Sequence, residues 1–331
     1  LESRGLIDAR PRSGFYVQAA RRAVRAGPQP AAARVGATGV AVSALAFDLL
    51  ESTRDPAVVP LGSAFPGAQL FPADVLARSG ARAMRRLKPT QITSALTAGD
   101  ERLRQALRRR HALQGVPLQA DELVITNGAM EALNLCLQAV TRPGDVVAIE
   151  SPTFYAALHV LERLNLRAVE VATDPAEGVD LDALADVLSR ERVAACWLMP
   201  TFQNPLGALM PVARKRALVE LLAGHGVPLI EDDVYGELYA DVRRPPPAKA
   251  FDTKGLVLQC ASFSKCLSPG YRVGWAAAGR FARDVQRLKM MSSLATSLPA
   301  QLAIADYLAQ GGYDRHLRRL REALAGEQQR V

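Results

Sequence analysis

From about residue 73 onward the chain alternates two patterns of apolar and polar positions. Stretches with apolar residues at three- and four-residue intervals, Ala73–Leu87 and Asp100–Gln114 first among them, predict amphipathic helices. Between further stretches of that kind lie short apolar runs of strand length: Leu123–Thr126, Val146–Glu150, Arg167–Val171, Ala194–Leu198, Pro228–Glu231 and Leu256–Cys260. A strand with no polar face is covered on both sides, and helical patterns follow most of these runs. The expected fold is therefore α/β, a mostly parallel sheet with helices on both faces.

The ends read differently. Residues 1–17, LESRGLIDARPRSGFYV, carry a short helix end at Gly5 and then an extended, arginine-bearing turn around Pro11 and Gly14. Up to about Ala46 the chain is rich in Ala, Arg, Gly and Pro without a sustained period, the composition of a linker. The last segment, Tyr313–Val331, is charged and helical and meets no stop signal, so both termini are expected to be cut. No internal repeat is present.

At 331 residues, one large α/β unit with smaller pieces attached is the prior. Hydrophobic residues make up 49% and charged residues 22%, which excludes wholesale disorder. The formal charge of +8 comes mostly from arginine and fits an anionic ligand as well as nucleic acid. Cys136, Cys196, Cys260 and Cys266 form no C-x-x-C pair, so neither a disulfide framework nor a metal site is expected. With no apolar run near the ~18 residues of a membrane span and no signal-peptide pattern, a reducing cytoplasm is the expected location.

Ligands of open α/β sheets bind beyond the carboxyl ends of the strands. After Leu123–Thr126, the turn Asn127-Gly128-Ala129-Met130 opens a helix whose free N–H groups suit a phosphate; an ordinary strand-to-helix turn looks the same. After Ala194–Leu198, Asn204 precedes Pro205 in MPTFQNPLG, a rigid turn able to aim one amide, or simply a loop that ends a strand. Asp232 follows a buried apolar strand and has Tyr235 three residues on; it either faces a cation or is a solvated loop carboxylate. The segment Ala261–Trp275 sets Lys265 among Ser262, Ser264, Ser268 and Arg272. That is the company a carbonyl-trapping lysine and a phosphate need, although a lone lysine is ordinarily a surface charge.

Taken together, Thr126–Leu133, Glu150-Ser151-Pro152-Thr153-Phe154-Tyr155, Pro200–Gly207, Glu231–Tyr235 and Ser262–Gly274 resemble the class I/II aminotransferases, fold type I enzymes that depend on pyridoxal 5′-phosphate (PLP). The spacings of 33 residues from Asp232 to Lys265 and seven from Lys265 to Arg272 are similar to that family's. The resemblance covers roughly residues 59–331 and implies a fold type I large domain with a seven-stranded type of sheet. It implies that Lys265 forms the internal aldimine with PLP and serves as the base at the substrate Cα, and that Asp232 holds the pyridinium nitrogen so that the ring accepts electrons. Asn204 and Tyr235 would hydrogen-bond the ring's phenolic oxygen, Phe154 would stack on the ring, with Tyr155 as the nearby substitute, and the phosphate would meet Gly128, Ala129, Met130, Ser262, Ser264 and Arg272.

The amino-terminal LESRGLIDARPRSGFYV is similar to the last helix and wing of a GntR-type winged helix. Pro60–Pro66 is similar to the start of the effector domain in the MocR group, in which an aminotransferase-like domain follows such a DNA-binding half. The resemblance implies a division into a winged-helix remnant (1–20) with Arg10 and Arg12 toward DNA, a linker (21–46), a PLP-binding large domain (47–310) and the beginning of a small domain (311–331). It also implies a homodimer, an amino acid or other amine as substrate or effector, and no membrane partner. The chain departs from the pattern in three places. The helices preceding the wing and most of the small domain, where relatives keep a carboxylate-gripping arginine, are missing. Near Gln91–Gly99, where many relatives carry a tyrosine reaching the neighbouring subunit's phosphate, Ile92-Thr93-Ser94-Ala95-Leu96 stands instead. Three readings follow: a PLP-dependent regulator, an aminotransferase, and an inactive fragment.

Overall fold

The structure, a computed structural model, describes residues 7–10, 14–17, 36–42, 48, 51, 64–93 and 98–330. Strands β1 (Ile7–Arg10) and β2 (Gly14–Val17) pair antiparallel as a hairpin, Ile7 opposite Val17. The remaining strands are β3 (Thr38–Gly39), β4 (Leu123–Thr126), β5 (Val146–Ser151), β6 (Arg167–Asp174), β7 (Gly178–Val179), β8 (Val193–Leu198), β9 (Leu229–Asp232), β10 (Val257–Ser262) and β11 (Gly274–Ala277). They form one sheet in the order β3-β6-β5-β8-β9-β10-β11-β4, with β7 on β6. Neighbours from β6 to β10 run parallel, as the apolar runs require.

All six expected strands are present, most reaching one to three residues further toward their carboxyl ends. Besides the two-residue strands β3 and β7, strand β11 is the main addition to this sheet. Its sequence Gly-Trp-Ala-Ala is too short and too small-residued to show a period, and it runs antiparallel to both β10 and β4. The register sets Ser262 opposite Gly274 and Gly274 opposite Thr126, which brings the end of β10, the start of β11 and the end of β4 to one edge of the sheet. The backbones are close enough there that an alanine Cβ at Gly274 would lie 2.6 Å from the Gly128 carbonyl carbon and 2.8 Å from Ala129 N and Ala261 O. Gly274→Ala should accordingly cost roughly 1–3 kcal/mol, read as a lower thermal midpoint.

The helices follow from local chemistry. Asp100 caps Glu101–Leu113 through the N–H groups of Arg102 and Leu103, and that helix buries Leu103, Leu107 and His111 at four-residue intervals. Asp180 caps Leu181–Arg190 in the same way, and Gly226, in the left-handed region at φ 70°, ends Val212–His225. The last helix, Gly312–Gln328, buries Tyr313, His316, Leu317 and Leu320. It docks behind the loop after β10: the Tyr313 hydroxyl lies 3.0 Å from Cys266 Sγ, and His316 Nε2 lies 2.7 Å from the Cys266 carbonyl oxygen. No helix among the described residues is long and apolar enough to cross a membrane.

Candidate functional site

The loop after β10 is built to present one side chain. Phe263, Cys266 and Leu267 are buried, and the N–H groups of Leu267 and Ser268 both donate to the Phe263 carbonyl, closing a tight turn on an apolar base. Within that turn Lys265 is the side chain directed away from the core, and its Nζ donates to the Ala64 carbonyl at 2.9 Å. The same nitrogen stands 3.4 Å from the centre of the Phe65 ring and 5.5 Å from that of Tyr235. Burial lowers the lysine to about 8, against the opposing pull of the Asp232 charge. Such a lysine offers a neutral amine far more readily than an exposed one.

Beyond the turn, the chain returns through Arg272, which adopts φ 50°, an uncommon conformation for a side chain of this size. It places the guanidinium between two loops: Nη1 donates to Ser264 Oγ (3.2 Å) and Nη2 to the Asn127 carbonyl (3.2 Å). Gly128 lies directly beneath, at φ 84°, and any Cβ there would collide with the guanidinium. Gly128, Ala129 and Met130 open the helix Ala129–Val140, whose first N–H groups have no intrahelical acceptor. Ser262 Oγ accepts from Ser264 N at 3.3 Å, which sets the two hydroxyls on the same turn. Arginine, hydroxyls and unsatisfied amides thus converge on one spot, the chemistry of an anion site.

Asp232 ends β9 only 1% exposed. Its carboxylate accepts one long hydrogen bond, from Val234 N at 3.4 Å, and no lysine or arginine among the described residues forms an ion pair with it. Desolvation pushes its carboxyl up to about 7, and the neighbouring Asp233 adds to the effect. Asp233 itself is paired with Arg244 at 2.6 Å and accepts from Gln259 Nε2 at 2.6 Å. One carboxylate of the pair is therefore paired with a cation through its Oδ2, and the other is held buried without a cation. On the adjoining loops Asn204 Nδ2 donates to the Tyr235 hydroxyl at 3.4 Å; burial first, then the charge of Asp232, raise that phenol to about 12. Phe154 and Tyr155 meet edge to face, centres 4.8 Å apart, and Tyr155 acts electrostatically on Tyr235.

The residues expected from sequence on β4, β8, β9 and β10 therefore gather at one end of the sheet. Arg10 lies in β1 without a described side chain, and Arg12 lies outside the described residues. Three further groups belong to this neighbourhood that pattern reading does not single out. Ala64 and Phe65 lie on Lys265 from 200 residues away in sequence, and the Pro60–Pro66 motif that holds them carries no sign of that contact. Glu150, at the end of β5, is 2% exposed and pushed up to about 8 by burial; it accepts from Met199 N at 2.9 Å and feels the Asp232 charge. Glu131 and Lys289 stand behind the Asn127 turn; the four-residue spacing from Asn127 to Glu131 is the one trace that the sequence carries of them.

Comparison with known proteins agrees with this geometry. The family model "Aminotransferase class I and II" matches residues 67–331. The HTH-type transcriptional regulator YdcR of Escherichia coli is 52% identical over 331 residues, all of this chain and 70% of that protein. Among solved structures, the multiple substrate aminotransferase of Thermococcus profundus superposes with a TM-score of 0.77 at 28% identity, over 84% of this chain and 70% of that one. The α-aminoadipate aminotransferase of Thermus thermophilus, complexed with N-(5′-phosphopyridoxyl)-L-leucine, superposes with a TM-score of 0.71 at 30% identity, over 78% of this chain and 66% of that one. On this fold, this family match and these strand-end motifs, the chain belongs to the class I and II aminotransferase family, whose cofactor is pyridoxal 5′-phosphate.

Proposed function

We propose that this chain is the PLP-binding, effector-sensing part of a transcriptional regulator, in which an amino compound taken up at Lys265 changes how an attached winged helix holds DNA. The observation that carries the reading is the 52% identity to a protein named as an HTH-type transcriptional regulator, which extends through residues 1–46 as well as the family domain. The hairpin β1–β2 has the form of a wing, and in this reading Arg10 and Arg12 are the residues that would meet DNA phosphates. In this division residues 1–20 belong to the winged helix, 21–46 to the linker, 47–310 to the large domain and 311–331 to the small one. The functional unit is a homodimer in the cytoplasm.

The site residues fit the cofactor. Asp232, buried with no cation of its own, suits the protonated pyridine nitrogen; Asn204 and Tyr235 suit the ring's phenolic oxygen; Phe154, with Tyr155 beside it, suits the ring face. Arg272, Ser262, Ser264 and the amides of Gly128, Ala129 and Met130 suit the phosphate. When bound, the cofactor supplies an aldehyde for amines and an electron-withdrawing ring. Lys265 would hold that aldehyde through its amine, and its lowered pKa suits it to hold or release a proton at Nζ.

A regulator of this kind predicts that the full-length protein binds operator DNA with an affinity that shifts when PLP and an amine are added; an unchanged gel shift would sink the reading. The fold shared with the Thermococcus profundus aminotransferase supports a second one, transamination between an amino acid and a 2-oxo acid. Multiple turnovers of both substrates separate it from a sensor, which stops after one half-reaction.

A further inference from the structure

The phosphate cradle contains an anion that a phosphate would meet at close range. Glu131 sits in the first turn of helix Ala129–Val140, the turn whose amides face the phosphate position. Its carboxylate accepts from Asn127 N at 2.6 Å and from Asn127 Nδ2 at 3.1 and 3.2 Å, so it braces the residue whose carbonyl receives Arg272. Left alone, that charge would favour the helix terminus but oppose a dianion bound there. Behind it lies Lys289, 1% exposed on the helix Ala282–Ser292, with Nζ 3.2 Å from Glu131 Oε2 and 3.1 Å from Ser293 Oγ. Burial pushes the Glu131 carboxyl up; hydrogen bonds from Ser293 and Asn127 and the charge of Lys289 together hold it below its ordinary value.

We infer that Lys289 is a positioning residue for the cofactor's phosphate: through Glu131 and Asn127 it fixes the turn that presents Arg272 and the helix amides, and it cancels the one negative charge in that turn. The inference rests on the PLP reading of the site. A buried lysine–carboxylate pair contributes little to stability compared with apolar residues of the same volume. Its worth here is geometric and electrostatic: Lys289, Glu131, Asn127 and Arg272 form a continuous chain from the far side of the helix to the anion position. Water scarcely screens it, because the side chains of Lys289 and Glu131 are 2% and 17% exposed.

The test compares PLP with pyridoxal, which lacks the phosphate, by spectral titration of the parent chain, Lys289→Met and Lys289→Met/Glu131→Gln. Lys289→Met should weaken PLP about tenfold or more while changing pyridoxal by less than about twofold, because only the phosphate feels the exposed Glu131 charge. The double variant, with that charge removed, should recover PLP affinity to within about threefold of the parent. Should Lys289→Met not fold, Glu131→Gln alone carries the test. It keeps an acceptor for Asn127 N–H and leaves Lys289's charge in place, so PLP should bind several-fold tighter and pyridoxal as before. Equal losses for PLP and pyridoxal, or no rescue in the double variant, would reduce Lys289 to a packing role and overturn the inference. A parent chain that takes up neither compound would instead remove the cofactor reading on which it rests.

Discussion

Lys265→Ala should abolish the visible-edge absorbance band expected of the parent chain with PLP, and with it the product that borohydride would lock onto the protein. The tight turn on Phe263, Cys266 and Leu267 remains, because its contacts do not involve the lysine side chain, so the variant folds and retains the phosphate cradle. What it loses is the amine at Nζ. Non-covalent binding through Arg272, Ser264 and the helix amides should persist at least about a hundredfold weaker, the scale of losing a covalent anchor and its orientation. Lys265→Arg should fail equally, since a guanidinium keeps its charge and does not add to an aldehyde. A second, independent reading comes from stability without cofactor. Burial depresses the lysine to about 8, so below that pH the folded parent carries a charge it would rather release, and the alanine variant should melt higher. The difference shrinks as pH rises from about 8 through the ordinary lysine range, where the unfolded chain loses its proton too. A surviving borohydride product would point to another of the six lysines, of which Lys215, donating to Thr201 Oγ1 at 2.6 Å, and Lys289 are already engaged in the core.

Asp232→Asn should move affinity and stability in opposite directions. With cofactor, the variant presents a neutral amide where the site offers a carboxylate, and the loss of a buried charge partner predicts PLP binding weaker by about a hundredfold. Without cofactor, the parent holds a desolvated carboxyl raised to about 7, well above its ordinary value. A group whose folded pKa is raised holds its proton in the folded state first, so the parent loses stability as pH climbs from about 4 to about 7 and carries the full penalty above that. On that scale the penalty is on the order of 4 kcal/mol. Asp232→Asn should therefore melt higher than the parent at pH 8 and about the same near pH 4. Identical pH–melting curves would mean that the carboxylate has a partner in solution, and unchanged PLP affinity would remove it from the site.

Much of the site was legible because its residues sit at strand ends, and strand ends follow from where apolar runs stop. Asp232, Asn204 and the Asn127–Met130 turn needed no tertiary information to be placed on the carboxyl side of a parallel sheet. Asp232 is set apart from Asp233 in the sequence by its place at the end of a buried strand and by its family-like spacing to Lys265. The structure adds a physical reason: Arg244 and Gln259 both engage Oδ2 of the second carboxylate, and the first is left without a cation. Strand β11 was not legible, since four residues, three of them small, have no period, yet it is what returns Arg272 to Ser264 and Gly128. Ala64 and Phe65 on Lys265, and Lys289 behind Glu131, were equally hidden, because each contact joins segments more than 150 residues apart.

The amino-acid sequence by itself determined the α/β class and the order of the main strands and helices, because periodicity and strand length are local properties of the chain, while the lysine, aspartate, asparagine and arginine were pointed to by motifs that resemble a known family. Only the tertiary structure decided which carboxylate goes without a cation, which carbonyl and ring meet the lysine, and which buried ion pair stands behind the Asn127 turn. Those depend on how far each group is withdrawn from water and on what the packed neighbours bring to within hydrogen-bonding distance, and neither is written in any short stretch of sequence.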